Sequence, residues 1–497
     1  MVEHVELVLR NGRAYFNGKY PRDLVDDCIS AKVEGACFSP RFKKKQWDGY
    51  SRFLSRTSNS FPLGLTTTVV SALQDVGYAV DIRNEELPAV EGALEPGVAD
   101  ALYGGFEMVP AAGSVVFRDY QVEAGRAYLS GKSLTPYRSI LHMGTGSGKT
   151  FVAAGITYSL NQYGEVPTLF LVHGKELVQQ TYNAFLKVFD PEVVGMCMGG
   201  IWNPSLITIA SVDTIYSRLK DDDPDVLALL DTIVFVIADE CHRASSTTWS
   251  KILDKANAPF RLGLSGTPMK RQDERDLRLL ATTGPVVYHL ETSTLQEGGY
   301  VSLADLTTVI ITQPEMRSLP WQDAFRSLIV ANTNRTKIIA DLAIKRAREG
   351  KTVLILAGNS VQFAKNIHAQ ISGTFESCAV ITGVTKTDET TKAFADLRDK
   401  KLDILVTTLL ADEGVDVPAV NVLMLVGGGK SYVKAIQRVG RGLRIKEDGT
   451  SLEVIEFLDL TNKFLEKHAQ ARLDYYTEAN IFQNGLVIED ISYIFGV

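Results

Sequence analysis

Short apolar runs alternate with stretches of helical periodicity from about residue 118 onward. The runs TLFLV (168–172), LITIA (206–210) and IVFVIA (233–238) are bounded by polar or turn residues, as buried strands are. Helical patterns accompany them at 149–162 and 175–188. Alternation of this kind predicts a parallel sheet that is covered by helices on both faces.

The same alternation returns in the C-terminal half of the chain. Its predicted strands are VLIL (353–356), CAVI (378–381), DILVTT (403–408) and VLMLV (422–426), and its helical patterns cover 361–371, 387–398 and 431–439. The later segment NKFLEKHAQARLDYY has the periodicity of an amphipathic helix, which we expect to pack on this second domain. The pattern therefore predicts two successive α/β domains.

Charge sets the N-terminal part of the chain apart. The 497 residues carry a net charge of −7, so any site for a polyanion must be local. Residues 1–83 contain 12 Lys and Arg against nine Asp and Glu, whereas residues 84–117 contain six acids and no base. The acidic strip is rich in Pro, Gly and Ala, and we interpret it as a connector between a small head domain and the body.

The segment LHMGTGSGKT (141–150) carries the strongest chemical signal in the chain. Its glycines allow backbone N–H groups to turn inward around a triphosphate, and the start of a helix adds partial positive charge. Lys149 is expected to reach the β- and γ-phosphates of ATP, and the Thr150 hydroxyl to bind Mg²⁺. The expected ATP cradle consists of Gly144, Thr145, Gly146, Ser147, Gly148, Lys149 and Thr150, and Met143 stands where the strict pattern has its first glycine.

A pair of carboxylates follows a later apolar run. In IVFVIADECH (233–242) the predicted strand ends at Asp239 and Glu240. Ligands of open α/β sheets bind at the carboxyl ends of the strands. We therefore expect Asp239 to hold Mg²⁺ and Glu240 to polarise the water that attacks the γ-phosphate.

These motifs and their order resemble the superfamily 2 helicases. The resemblance rests on DECH together with FRDYQ (117–121), LFLVHGKELVQQ, ITIASVDTI, LGLSGTP (262–268), LILAGNS, VTTLLADEGVDVP and QRVGRGLR (437–444). It covers residues 117 to about 460. It implies an ATP-dependent motor built from two tandem RecA-like parallel-sheet domains.

The resemblance also implies roles for individual residues. Those expected to bind or sense the nucleotide are Arg118, Gln121, Gly414, Asp416 and Gln437. Those expected to couple hydrolysis to domain movement are His242, Ser265 and Thr267. Contacts to the nucleic-acid backbone are expected from Lys175, Ser211, Asn359 and Thr407.

Arg441 and Arg444 belong to the second predicted domain, whereas Lys149 and Asp239 belong to the first. An arginine stabilises the transition state of phosphoryl transfer only when it reaches the developing charge. Closure of the two domains on ATP, followed by hydrolysis, would thus convert chemistry into relative domain movement.

The head contains the stretch PRFKKKQWDGYSRFL (40–54), followed by FPLGL and VGYAVDIRN. This series resembles the N-terminal region of bacteriophage UvsW-type recombination helicases. That family migrates junctions and regresses forks, so branched or forked DNA is the implied partner. Arg41, Lys43, Lys44 and Lys45 are expected to bind DNA phosphates. Trp47 and Phe42 offer faces for an unpaired base, although the alternative, with Trp47 in the head core beside a solvated lysine edge, is favoured for the tryptophan.

The expected fold class is α/β, with two tandem RecA-like domains and a small N-terminal α+β accessory domain. The expected boundaries are 1–83 for the accessory DNA-binding domain, 84–116 for the acidic linker, 117–285 for the first RecA-like domain, 286–325 for a connector and 326–497 for the second RecA-like domain with its C-terminal helix.

Composition narrows the setting of the protein. The five cysteines are scattered without metal-binding spacing, and the N-terminus lacks a secretory apolar region, so we expect a cytoplasmic protein. The uncharged run 193–212 is interrupted by Gly199-Gly200 and Asn203-Pro204, which argues against a membrane partner. Recombination or single-strand-binding proteins are conceivable partners that this sequence does not identify.

Three alternatives to a branched-DNA motor remain. An RNA helicase is disfavoured because the motifs are not of the DEAD type. The motor part of a restriction nuclease would need a nuclease triad, and none is placed convincingly outside the motor. An inactive ATPase that serves as a DNA clamp conflicts with the intact Lys149, Asp239, Glu240 and Arg441.

Overall fold

The computed structural model describes residues 3–33, 35–92, 94–144, 146–241, 247–256, 258–266, 274–300, 304–311, 319–408, 420–428, 451–460, 462–479, 482 and 487–489. The chain forms two compact units, Met1–Gly144 with Gly148–Leu290, and Thr145–Ser147 with Glu291–Val497. Two large, predominantly parallel sheets and a small mixed N-terminal sheet confirm the expected α/β class.

The N-terminal 84 residues, called the head, fold around a mixed four-stranded sheet. Its elements are β1 (His4–Arg10), β2 (Arg13–Asn17), α1 (Arg22–Cys28), β3 (Ser30–Lys32), α2 (Pro40–Lys43), β4 (Tyr50–Arg52), β5 (Ser60–Pro62), α3 (Thr66–Asp75) and β6 (Ala79–Asn84). The sheet order is β5-β2-β1-β6, and β3 pairs with β4 in a separate hairpin. Alternating buried side chains along β1 and one apolar face of α3 form the head core, which includes Leu7, Phe61 and Val69.

The acidic strip after the head forms short elements and packs on the first large domain. They are α4 (Glu86–Glu91), α5 (Pro96–Ala101), β7 (Ala111–Ala112) and β8 (Val115–Val116). The Tyr137 hydroxyl donates to Leu102 O at 2.7 Å, and Phe106 N donates to Leu129 O at 2.9 Å. The strip, interpreted from the sequence as a connector, is thus a strap that packs on the first large domain.

The first large domain, called the first lobe, is an eight-stranded sheet with helices. Its elements are α6 (Asp119–Leu129), β9 (Arg138–Met143), α7 (Lys149–Asn161), β10 (Thr168–Val172), α8 (Lys175–Phe185), β11 (Val194–Met198), β12 (Ile201–Asn203), β13 (Ile207–Ser211), α9 (Val212–Lys220), α10 (Pro224–Thr232), β14 (Phe235–Ala238), α11 (Thr247–Lys255), β15 (Phe260–Ser265), α12 (Glu274–Thr283) and β16 (Val286–Leu290). The strand order is β12-β11-β13-β10-β14-β15-β9-β16, and all pairs except β11–β12 are parallel. Every residue of β10 and β13 is buried, which explains their unbroken apolar runs.

The second large domain, called the second lobe, is a seven-stranded parallel sheet with helices. Its elements are α13 (Thr292–Glu297), β17 (Ala304–Ile311), α14 (Trp321–Ala324), a π-helical turn (Phe325–Val330), α15 (Thr333–Arg348), β18 (Val353–Leu356), α16 (Val361–Ser372), β19 (Cys378–Ile381), α17 (Thr387–Arg398), β20 (Ile404–Thr407), β21 (Val422–Leu425), β22 (Leu452–Asp459), α18 (Lys463–Ala479) and β23 (Val487–Ile488). The strand order is β19-β20-β18-β21-β22-β17-β23. The predicted tail helix is α18, and it packs on this sheet because Arg472 Nη2 donates to Glu456 Oε1 of β22 at 3.0 Å. The predicted helical pattern 431–439 lies outside the described residues.

The expected connector 286–325 is divided between the two sheets. β16 pairs with β9 in the first lobe, and β17 pairs with β22 in the second. This segment therefore supplies a strand to each lobe, which corrects its interpretation as a connector. No helix in the part of the chain that the structure describes is long and apolar enough to cross a bilayer.

Candidate functional site

The strands that carry the candidate ATP-binding residues are neighbours in the first lobe. β14, β15 and β9 run parallel, with Ala238 opposite Gly263 and Gly263 opposite Ile140. Their carboxyl ends therefore meet at one edge of the sheet, where α/β proteins bind ligands. The phosphate loop and the Asp239–Glu240 pair follow these ends, and Ser265 is the last residue of β15. Ser265 is buried there, with 1% of its surface exposed.

The phosphate loop connects β9 to α7. Gly144 N donates to the carbonyl of the last β16 residue at 2.7 Å, which anchors the beginning of the loop. Gly146 and Gly148 have φ angles of 83° and 76°, in the left-handed region that favours glycine. Lys149 opens α7, followed by the half-buried Thr150. The Lys149 Nζ donates to Met143 O at 3.2 Å, so the ammonium lies against the start of the loop.

Gln121 lies against the same loop. Its side chain is buried, and a Cβ added at Gly148 would come within 2.5 Å of its Nε2. Its Oε1 accepts a hydrogen bond from Arg118 N at 3.0 Å, which fixes the amide at the start of α6. The exposed Arg118 donates from Nη1 to the Tyr120 hydroxyl at 3.1 Å. The fold thus brings the predicted adenine-reading glutamine to the predicted phosphate cradle.

The carboxylate pair is held by the backbone after β14. Asp239 N donates to Leu171 O at 3.1 Å, and Glu240 N donates to Asp239 Oδ1 at 2.9 Å. Glu240 has a φ of 48°, an uncommon conformation for a residue other than glycine. Backbone strain of this kind persists where the surrounding fold enforces it and is concentrated at functional sites.

The pKa of the buried Cys241 thiol depends on the charges of this site. Burial raises the pKa of Cys241 well above its ordinary value, and the negative charges of Glu240 and Asp239 raise it further. The positive charge of Lys149 acts in the opposite direction on the same pKa. The Lys149 ammonium and the two carboxylates are therefore within electrostatic reach of one buried atom, although they lie 90 residues apart in sequence.

Several predicted site residues lie outside the described residues. They are Thr145, His242, Thr267, Gly414, Asp416, Gln437, Arg441 and Arg444. Their expected roles stay predictions.

The predicted DNA-contacting residues of the two lobes differ in accessibility. Lys175 is exposed at the start of α8, and Asn359 is exposed shortly after β18. Ser211 and Thr407, at the ends of β13 and β20, are 3% and 1% exposed. The Thr407 Oγ1 also donates to Thr408 O at 2.8 Å. The side chains of Ser211 and Thr407 are therefore closed to a DNA strand in this structure, and a contact at those positions would use the backbone.

The four basic residues of the head that are predicted to bind DNA are exposed. Arg41 and Lys43 lie on α2, and Lys44 and Lys45 form the turn after it; all four are exposed. Trp47 is half-buried and lies outside the cluster of buried side chains that forms the head core. The favoured assignment of Trp47 to that core is therefore wrong.

A polar junction between the head and the first lobe was not predicted from the sequence. Arg138, at the start of β9, lies 3.5 Å from Glu86 of the strap through Nη2 and Oε1. Glu86 Oε2 also accepts from Gly12 N, in the β1–β2 turn of the head, at 3.0 Å. The one feature of the sequence that points to this junction is an arginine, Arg138, at the start of an apolar strand. That feature does not identify Glu86 as its partner.

Three family models match successive parts of the chain. Residues 23–83 match the N-terminal domain of DNA helicase UvsW. Residues 114–270 match the res subunit of type III restriction enzymes, and residues 334–446 match the helicase conserved C-terminal domain. The first lobe, the second lobe and the head each have a counterpart among these models.

Relatives extend the match along the chain. A putative helicase of a Sulfolobus islandicus filamentous virus is 28% identical over 371 residues, which are 69% of this chain and 65% of that one. The ATP-dependent DNA helicase uvsW of Enterobacteria phage T4 is 25% identical over 460 residues, which are 87% of this chain and 86% of that one. This chain thus spans just under two thirds of the viral relative and most of the phage one.

A solved structure of the same fold is the ATP-dependent type ISP restriction-modification enzyme LlaBIII bound to DNA. It superposes with a TM-score of 0.56 at 15% identity and covers 77% of this chain and 32% of that one. Its similarity concerns the fold alone.

The ordered motifs, the two parallel sheets and the three family models agree. The chain belongs to the superfamily 2 ATP-dependent helicases and carries an N-terminal domain of the UvsW type.

Proposed function

We propose that this protein is an ATP-driven DNA helicase or translocase that acts on branched DNA, migrating junctions and regressing forks in recombination and repair. The observation that carries the proposal is the meeting of the phosphate loop, Gln121 and the Asp239–Glu240 pair at one edge of the first lobe. The UvsW-type head and the similarity to the T4 uvsW helicase support DNA as the track.

In this proposal the first lobe binds ATP. Lys149 pairs with the β- and γ-phosphates, and backbone amides of the glycine loop hold the rest of the triphosphate. Gln121, with Arg118 beside it, recognises the adenine. Glu240 orients the water that attacks the γ-phosphate.

The donors of the first lobe suit the metal that accompanies ATP. Mg²⁺ binds oxygen and takes one or two carboxylates together with phosphate oxygens. Thr150 offers a hydroxyl in the first turn of α7, and Asp239 offers a carboxylate directly after β14, at the same edge of the sheet. A Cβ at Gly148 of the cradle would lie 2.5 Å from Gln121 Nε2. When bound, the ion would neutralise charge that develops on the phosphates.

In the proposed cycle the second lobe completes the catalytic machinery. Arg441 and Arg444 stabilise the developing charge on the γ-phosphate. Gly414, Asp416 and Gln437 sense the nucleotide, and His242, Ser265 and Thr267 transmit its state to domain movement. Repeated closure and opening would advance the protein along DNA that Lys175 and Asn359 contact.

ATPase assays with different nucleic acids test the substrate. We expect four-way junctions and forks to stimulate hydrolysis more than linear duplex or single strands of equal total length, because the head adds contacts at a branch. Stimulation by RNA alone would overturn the proposal.

Replacement of Lys43, Lys44 and Lys45 by Ala tests the contribution of the head. Each phosphate contact releases about one counterion, so the logarithmic salt slope of junction binding should flatten by about 3. ATP hydrolysis without DNA should be unchanged, because these exposed side chains lie on the head and not in the ATP site. An unaltered salt slope would exclude these lysines as the DNA grip.

A further inference from the structure

A groove of about 720 Å³ opens on the head beside α2. Phe42 and Trp47 supply aromatic surface to it, and Lys43, Lys45 and Gln46 supply polar surface. Its volume is within the range of small-molecule sites, roughly 300–1,000 Å³. The groove lies wholly within residues that the structure describes, and neither the ATP site nor the motor motifs use it.

The two aromatic rings are held in place by the backbone. Trp47 Nε1 donates to Tyr50 O at 2.7 Å, which satisfies the polar edge of the indole. Gly49 has a φ of 85°, and a Cβ there would come within 3.0 Å of the Phe42 ring. Since the turn fixes both rings before any ligand arrives, binding costs little side-chain entropy.

The negative charge of Asp48 in the groove wall is compensated by Arg52. Arg52 donates to both Asp48 oxygens, at 3.1 and 2.5 Å, and Tyr50 N donates to Asp48 Oδ1 at 3.1 Å. The hydrogen bonds from Arg52 and from the Tyr50 amide lower the pKa of Asp48 to about 2. Asp48 therefore stays ionised at neutral pH, but Arg52 offsets its repulsion of a polyanion.

The six basic side chains of residues 41–56 divide into two groups. Arg52 and Arg56 are engaged by Asp26, at 3.2 and 2.6 Å. Within the described ranges, the exposed side chains of Arg41, Lys43, Lys44 and Lys45 form no ion pair, so their charges remain available to phosphates. The groove wall thus combines two aromatic side chains with two uncompensated lysines, Lys43 and Lys45, and the exposed Arg41 and Lys44 belong to the same helix and turn.

We infer that this groove receives one unpaired DNA base, which stacks on Trp47 and Phe42 while the lysine rim holds the flanking phosphates. Every base has a π face, so such a site is indifferent to sequence. Bases of intact duplex are stacked on each other and do not enter, whereas a branch point supplies unpaired bases. The inference rests on the proposed function and deepens it, because the groove would give the head its preference for branched DNA.

Binding of the full chain to two matched duplexes, without ATP, tests the inference. One duplex carries a single extrahelical 2-aminopurine, and the other is fully paired with the same number of phosphates. Stacking of one base should strengthen binding of the first duplex about fivefold or more and quench the 2-aminopurine fluorescence. Equal affinity for the two duplexes would overturn the inference.

Variants separate stacking from phosphate binding. We expect Trp47→Leu and Phe42→Leu each to abolish the preference and leave affinity for paired duplex unchanged. Tyr103→Leu is the matched control, since Tyr103 is an aromatic residue with 59% exposure on the strap, outside the groove. If both groove variants still prefer the duplex with the unpaired base, the inference is overturned, and a protein partner becomes the alternative ligand of the groove.

Two further outcomes distinguish this inference from the motor proposal. If no DNA stimulates ATP hydrolysis but wild type still prefers the unpaired base, the motor proposal fails and the groove assignment stands. If the same pair of duplexes made of RNA shows the preference and the DNA pair does not, the assignment to DNA is overturned.

Discussion

At the residue scale, the candidate ATP site combines one positive and two negative side chains. Lys149 begins a helix and turns back to Met143 O, while Asp239 and Glu240 leave the end of a buried strand. All three charges act on the pKa of the buried Cys241 thiol, so the fold brings them to the same region of the first lobe. A lysine in this setting attracts phosphate and compensates the carboxylates at the same time.

Lys149→Ala should reduce ATP turnover at least about 1,000-fold, because removal of one preorganised charge from a phosphoryl-transfer site costs several kcal/mol. DNA affinity should be largely spared, since the grip of the head is separate. Steady-state ATPase and DNA binding measure the two effects. Lys132→Ala, an exposed lysine outside the site, is the control. Turnover that persists in Lys149→Ala would reject the cradle.

Glu453 in the second lobe gives a stability prediction with a defined pH dependence. Burial alone would raise the pKa of Glu453, but its hydrogen bonds with Arg346, together with the charges of Arg346 and Lys351, lower it below its ordinary value of 4.5. Arg346 Nη2 lies 2.7 Å and Lys351 Nζ 3.3 Å from its carboxylate. A depressed carboxyl pKa stabilises the fold above the ordinary pKa, and this stabilisation is lost as pH falls through the lowered pKa.

Glu453→Gln should therefore lower the free energy of unfolding of the second lobe by about 2 kcal/mol at pH 7. The difference from wild type should shrink as the pH falls below 4.5, where protonation removes the same charge from the native protein. Urea titrations at pH 7 and at pH 3 measure it. Glu349→Gln, which removes an exposed partner of Lys351, should cost no more than about 0.5 kcal/mol. A pH-independent difference for Glu453→Gln would contradict the prediction.

At the scale of elements, α12 joins the head to the first lobe. Leu277, Leu280 and Ala281 of this helix pack on the head core. The backbone of the head comes so close that a Cβ added at Gly64 would lie 2.0 Å from Leu280 O. Together with the Glu86–Arg138 contact, this packing places the head and the first lobe in a single unit.

Gly64→Ala should loosen this junction, because the new methyl group meets backbone that cannot move aside. We expect a loss of about 1–3 kcal/mol, as for overpacked sites, and earlier cleavage of the strap by protease. Thermal unfolding and limited proteolysis measure these effects. Gly92→Ala is the control, since a Cβ at Gly92 meets nothing within 4 Å. Equal behaviour of the two variants would show that the close approach at Gly64 carries no strain.

Predicted strand boundaries agreed with the observed ones where the apolar run was unbroken. The predicted strands 168–172 and 353–356 coincide with β10 and β18, because a run buried on both faces leaves a local signature. The interpretation of 286–325 as a connector was wrong, because that segment contains β16 and β17, which belong to the two large sheets. Which sheet a short run joins depends on partners such as Ile140, far away in sequence, and no local pattern encodes them.

At the scale of the whole molecule, the proposed motor divides its work between the two lobes. In the proposal, the first would supply Lys149 and the carboxylates, and the second would supply Arg441 and Arg444. Arg441 lies outside the described residues, so its role follows from the motif QRVGRGLR alone.

Arg441→Ala should lower kcat by about 1,000-fold with little change in ATP affinity, because an arginine finger acts on the transition state. Single-turnover hydrolysis and equilibrium nucleotide binding separate the two effects. Arg398→Ala replaces an exposed arginine at the end of α17 and should leave both unchanged. If Arg441→Ala retains full kcat, the two-lobe mechanism is refuted.

The sequence by itself determined the class of the protein and predicted the chemistry of its candidate ATP site. Glycine spacing, a lysine at a helix start and carboxylates after an apolar run are local features, and local features survive in the one-dimensional pattern.

Only the tertiary structure decided which basic side chains form ion pairs and which surfaces pack against each other. The stretch 41–56 contains six bases and one acid, yet Asp26 on α1 engages two of the six, Arg52 and Arg56. Trp47 reads as a core residue in sequence, but the turn places it in a groove wall. The packing of the head on α12 was equally hidden. The physical reason is the same in each case: charge compensation and burial depend on residues that folding brings together from distant parts of the chain.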